Sequence, residues 1–190
     1  MNNNLAYQEE RCQELINGKI FMMSPRPSYF HNQVSSNIYR IFANYLSGKR
    51  CTAIADGTAL FLSETNHFVP DFMLVCDPDK IKADGVHGAP DLVAEVLSPG
   101  TAKNDRGPKM QVYESFGVKE YWLVSPMDKT IEQYLLQDGR LVFVEAYTVF
   151  PDYALAAMSD DELASVITEF KCSLYDDLHI QLADVFERVP

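Results

Sequence analysis

The sequence predicts an α/β (α+β) fold, with a central mixed β-sheet flanked by helices. Three observations predict it. The spacing of apolar residues switches between helical and strand periods along the chain. Two short runs, 68–76 and 91–97, are apolar almost throughout, as in strands covered on both faces. No linker rich in Pro, Gly or Ser divides the 190 residues, so one domain is expected over 1–190, with residues 151–190 as a C-terminal extension.

The elements follow in order. Residues 1–17 read as a short helix, with Tyr7, Arg11, Glu14 and Leu15 at helical spacing. Asn17-Gly18 is a turn signal, and 19–23 (KIFMM) a strand ended by Ser24-Pro25-Arg26-Pro27. A helix over 28–46 buries Val34, Ile38, Ile41, Phe42 and Tyr45, and Ser47-Gly48 closes it. Residues 52–62 read as one strand bent at Gly57. The strand at 68–76 leads into a polar loop over 77–90, and the strand at 91–97 ends at Ser98-Pro99-Gly100. A helix over 108–116 starts with Pro108 at its first position and ends at Gly117. A strand at 121–124 precedes a hairpin, 131–136 with 141–146, turning on Asp138-Gly139. Ser159-Asp160-Asp161-Glu162 opens a further helix, and the last stretch suggests a strand and a short helix.

Composition narrows the function. With 47% hydrophobic residues, 11 Phe and 10 Tyr, the chain is globular and not disordered. No run approaches the ~18 apolar residues that cross a bilayer. The polar start, Met1 to Arg11, is not a secretory signal. The net charge of -11, from 27 acidic and 16 basic side chains, argues against holding nucleic acid by bulk charge. It leaves open one local, metal-bridged contact with a phosphate. Cys12, Cys51, Cys76 and Cys172 form no CxxC pair, so reduced structural cysteines and a cytoplasmic location are expected. There is no P-loop and no dinucleotide fingerprint.

Two carboxylates stand out. Asp71 sits inside the strand-like run VPDFMLVCD, and Glu95 interrupts DLVAEVL. A charge in a buried strand is costly unless it is paired or binds a metal. On neighbouring strands the two could hold one hard divalent cation. The plain structural alternative is that each faces water or is matched by a buried base. Lys103, Arg106 and Lys109 follow closely, a local basic exception in an acidic chain; Lys109 and Tyr113 are four apart, on one helical face.

The stretch 86–126, VHGAPDLVAEVLSPGTAKNDRGPKMQVYESFGVKEYWLVSP, closely resembles the Uma-two family of restriction-endonuclease-like proteins, within the PD-(D/E)XK nuclease superfamily. Pro70-Asp71, Glu95-Val96-Leu97-Ser98-Pro99, Asp105, Lys109, Tyr113 and Gly117-Val118-Lys119-Glu120-Tyr121-Trp122 carry the resemblance, with Glu14 to Ile20 and His31-Asn32 upstream. It covers roughly residues 10–150. The resemblance implies a restriction endonuclease-like core and a metal-dependent endonuclease acting on DNA. It implies Mg²⁺ (or Mn²⁺) held by Asp71, Glu95 and the main-chain carbonyl of Val96. Leu97 stands where the superfamily's catalytic lysine lies, so Lys109 becomes its replacement from the helix. Glu14 (from the first helix), His31 and Tyr113 are supporting residues. Tyr113 touches the lysine or a phosphate, or is a core aromatic. Lys103 and Arg106 are the expected phosphate contacts, and a homodimer would suit cleavage of both strands. The alternative is a nuclease-fold module that binds DNA or a protein partner without cutting.

Overall fold

The computed structural model describes residues 13–22 and 27–190. β1 (Gln13–Ile16) and β2 (Lys19–Met22) form a hairpin over Asn17-Gly18. The positive φ of both turn residues, 50° and 75°, matches the twist of the flanking strands. The helix expected over 1–17 is therefore corrected for 13–16, and its earlier part lies outside the described residues. Glu14 and Ile16 alternate with Leu15, and Leu15 also pairs with His67, so strand pairing overrides a short helical pattern. Met23 and the segment 24–26 of the expected strand end also lie outside the described residues.

α1 (Tyr29–Tyr45) begins as expected. The Ser28 side chain accepts from the backbone N–H of His31, and Val34, Ile38 and Phe42 are buried. β3 (Thr52–Ala55) and β4 (Leu60–Ser63) replace the single strand expected over 52–62. The chain breaks at Gly57, with φ of 92°, and the halves join different sheets. β5 (Asn66–Phe68) and β6 (Phe72–Val75) follow. The expected loop over 77–90 contains a turn of 3₁₀ helix (Pro78–Lys80) and a small hairpin, β7 (Ile81–Lys82) with β8 (Gly85–His87).

β9 (Leu92–Val96) leads into a helical segment longer than expected. It runs through α2 (Ala102–Asn104), a π-helical turn (Asp105–Lys109) and α3 (Met110–Phe116). Pro108 lies inside the π turn and not at the first helical position. The wider turn accommodates a residue with no N–H to donate. β10 (Glu120–Ser125), β11 (Thr130–Gln137) and β12 (Arg140–Thr148) complete the run of strands, with Asp138-Gly139 as the turn. Then come α4 (Asp152–Leu155), α5 (Asp160–Ala164), the hairpin β13 (Glu169–Lys171) with β14 (His179–Gln181), and α6 (Leu182–Val185). Ser159 and Glu162 form a capping box at α5.

The core sheet has the order β12-β11-β10-β9-β6-β3 and is mixed, with β9 and β10 parallel. Side-chain alternation divides its residues between two faces. Phe72, Leu74, Leu92, Ala94 and Trp122 pack under α1 and the C-terminal hairpin. Met73, Val93, Tyr121 and Leu123 pack against α3 and the second sheet, β2-β1-β5-β4-β8-β7. Each large apolar side chain buried this way contributes about 1.5–3 kcal/mol. Glu95 has the parity of Val93, so it points into the α3 side.

Glu120 is fully buried and accepts from Trp122 Nε1 (2.7 Å), Gln133 Nε2 (2.6 Å) and the backbone N–H of Ser173 (2.8 Å). It ties the C-terminal segment to the core sheet. The expectation of four reduced cysteines is also corrected. Thr52 pairs with Val75, so the next step of the register sets Cys51 opposite Cys76, and a disulfide joins them. Cys172 is free and buried. Among the described residues, no helix is long and apolar enough to cross a membrane.

Candidate active site

β6 and β9 are antiparallel, with Phe72 opposite Ala94 and Met73 opposite Val93. One further step of this register sets Asp71 opposite Glu95. Both therefore emerge on the α3 side, where β6 begins. The backbone N–H of Val96 donates to Oδ2 of Asp71 at 2.6 Å, and Nε2 of His31 lies 3.3 Å from the same oxygen. The Ser35 hydroxyl donates to the Asp71 carbonyl at 2.8 Å, fixing α1 over the start of β6.

Lys109 comes from the π turn and is only 3% exposed. Its Nζ lies 2.7 Å from Oε1 of Glu95, 3.0 Å from Oε1 of Glu14 and 3.5 Å from Oδ1 of Asp105. Tyr113, one turn along, donates to the same Glu95 oxygen at 2.7 Å. Glu14 is held in turn by the backbone N–H of Val69 at 3.2 Å.

The electrostatics follow from burial. Desolvation pushes the Glu95 carboxyl well above the usual range, against the pull of Lys109 and with the help of Asp105 and Asp71. Burial alone would lower Lys109, but Glu95, Glu14 and Asp105 outweigh it and raise its pKa well above normal, so it stays an ammonium. Desolvation likewise raises Asp105 and Tyr113. His31 is raised overall because contact with Asp71 overcomes its burial.

The carboxylates sit in a cleft of about 690 Å³, lined by Glu14, Asp71, Glu95 and Asp105 together with apolar residues such as Phe30, Leu97 and Met127. The bonds at Asp71 fall on Oδ2 and those at Glu95 on Oε1. Among the described residues, Oδ1 of Asp71 and Oε2 of Glu95 take no hydrogen bond. Two hard oxygens on facing strands suit a small divalent cation. No group of three or more His, Cys, Asp or Glu side chains is set around one point among the described residues. A cation here would therefore complete its shell with main-chain oxygen and water, as Mg²⁺ usually does.

The model of the Uma2 family, described as "Putative restriction endonuclease", matches residues 3–158. The chain belongs to the Uma2 family. Two uncharacterized proteins of Synechocystis sp. are similar to it. One, slr1290, is 32% identical over 127 residues, covering 66% of this chain and 66% of that protein. The other, sll1609, is 26% identical over 125 residues, covering 64% and 70%. The chain thus spans just under two thirds of slr1290. A crystal structure described as that of "a putative nuclease belonging to DUF820" from Anabaena variabilis superposes with a TM-score of 0.69. It is 21% identical and covers 96% of this chain and 94% of that one. The fold of this Uma2 chain is the mixed α/β, restriction endonuclease-like one.

Within the Uma2 chain the structure brings together Asp71, Glu95, Lys109, Glu14, Tyr113 and His31. It delivers Glu14 from a strand and not from a helix. Tyr113 is both a core aromatic and a partner of Glu95. It does not bring Lys103 or Arg106 to the cluster. Lys103 is exposed, and Arg106 is paired with Glu132. Two carboxylates went unassigned in the sequence. Asp105 lies four residues before Lys109, but a helix started at Pro108 hides that spacing. Asp56 lines the cleft beside Asp71 and is raised by burial and by that neighbour.

Proposed function

We propose that this protein is a metal-dependent endonuclease that hydrolyses phosphodiester bonds of DNA. The observation that carries the reading is the pair Asp71 and Glu95, opposite each other with one oxygen apiece uncommitted among the described residues. Asp71, Glu95 and the main-chain carbonyl of Val96 would hold Mg²⁺ or Mn²⁺. The N–H of Val96 already bonds Asp71, which supports the closeness of that peptide to the pair. The cation would supply Lewis acidity toward the scissile phosphate and a bound water of lowered pKa.

The chain's own residues do the rest. Lys109, kept cationic by its carboxylate neighbours, positions the attacking water and offsets charge growing on the phosphate. Glu14 holds Lys109 in place from β1. Tyr113 fixes the Glu95 rotamer, and His31 orients Asp71. Lys103 and Arg106 lie outside the cleft, so they would meet phosphates flanking the cut, Arg106 by exchanging Glu132 for a phosphate. Residues 151–190 complete the same unit, since Val189 and Pro190 line the cleft. A homodimer belongs to this reading, because the edge strand β12 exposes Val142, Phe143 and Val144.

One observation favours a second reading, a nuclease fold that binds without cutting. Lys109 already pairs with Glu95, one of the two carboxylates a cation would need. Cleavage of labelled DNA, started with Mg²⁺ and stopped with a chelator, separates the two. Cutting that needs the metal supports the endonuclease; none with either Mg²⁺ or Mn²⁺ supports the binding module.

A further inference from the structure

We infer that the nucleic acid this cleft takes is an unpaired strand and not a regular duplex. The inference rests on the nucleic-acid reading of the site and names its substrate class.

Depth is the first argument. Glu95 and Lys109 are each 3% exposed, at the floor of the cleft. A scissile phosphate must leave the surface of a duplex to reach them. A single strand can bend its backbone into such a floor and place its bases against the walls.

The walls are the second argument. Phe30 lines the cleft and is 40% exposed; Tyr29 beside it is 63% exposed, their rings meeting edge to face at 5.6 Å. Met127 and Leu97 add apolar surface to the lining of the same cleft. Base faces stack on such side chains whatever the sequence, at about 1–3 kcal/mol per base.

Continuity is the third. A second groove shares Pro27 and Asp56 with the cleft and runs along the outer face of α1 past Asn32, Ser36 and Tyr39. These side chains are spaced along one helical face and carry neutral donors, plus one half-exposed ring. Neutral donors of this kind contact phosphate and sugar oxygens. A chain of -11 net charge can follow a strand with them, whereas a duplex is met by many lysines and arginines.

The test is fluorescence anisotropy of one labelled oligonucleotide with a cleavage-resistant phosphorothioate backbone, single-stranded and as a perfect duplex, with the full chain and Mg²⁺. The expected result is binding of the single strand at least about ten-fold tighter than the duplex. Phe30→Ala and Tyr39→Ala should each weaken it several-fold, and Phe30→Tyr should keep it. Equal or tighter duplex binding, no binding of either form, or unchanged affinity in Phe30→Ala would overturn the inference. Failure of the nuclease reading looks different: the single strand binds and no metal makes the protein cut its unmodified counterpart.

Discussion

The Nζ of Lys109 stands 2.7 Å from Oε1 of Glu95, and both side chains are almost wholly buried. A buried pair of this kind contributes little over an apolar replacement, but removing one partner strands the other. Lys109→Met leaves Glu95, Glu14 and Asp105 without their cation. It should cost about 3–5 kcal/mol in urea unfolding. Adding Glu95→Gln to Lys109→Met should recover part of that loss, a coupling that a double-mutant cycle reads directly.

Tyr113→Phe removes the hydrogen bond to the buried Oε1 of Glu95 and keeps the ring against Phe68 and Tyr121. The expected cost is about 1–3 kcal/mol of stability. On the proposed function, cleavage should fall because the Glu95 rotamer loosens, while the circular dichroism spectrum is unchanged.

On the proposed function, metal binding should depend on pH with a definite sign. Burial holds the proton on Glu95 above the usual carboxylate range, and a cation must displace it. Apparent Mn²⁺ affinity should therefore keep rising with pH above the usual carboxylate range, with proton release visible in calorimetry as a dependence on buffer ionisation heat. Asp105→Asn removes one of the charges that raise Glu95, so its binding curve should shift toward lower pH.

Reduction of the Cys51–Cys76 disulfide opens a loop with a sequence separation of 25. Loop entropy predicts a loss of about 3 kcal/mol. Thermal unfolding with and without a reductant measures it, and a thiol count on the denatured, unreduced protein should find the pair blocked.

Much of the fold was legible because local signals agreed with tertiary packing. The start of α1 near Ser28, the Asp138-Gly139 hairpin and the buried runs around β6 and β9 all specify themselves within a few residues. The errors fall where distant contacts decide. Glu14 became a strand residue because β1 is held by β2 and β5. Cys51 and Cys76 meet only through the β3–β6 register. Asp71 and Glu95 could be named from sequence because a carboxylate in an apolar strand is conspicuous. Asp105 could be named only through the resemblance and without a role, since a helix started at Pro108 leaves it outside the turn it shares with Lys109. Glu120, read as part of a signature, serves instead as the tie between β10 and the C-terminal segment.

That tie makes a prediction of its own. Glu120→Gln puts an amide among donors that need only an acceptor, and should cost about 3 kcal/mol. Hydrogen exchange should lose protection first in β13 and β14, before the core strands β9 and β10.

The central claim is that Asp71 and Glu95 form a cation-dependent hydrolytic site. The most direct measurement is the initial rate of Mg²⁺-dependent DNA cleavage by Glu95→Ala against the unmodified chain, both shown folded by their thermal transitions. The expected result is a fall of at least about a hundred-fold, with no cleavage by either protein in chelator. Cleavage by folded Glu95→Ala at the unmodified rate would contradict it.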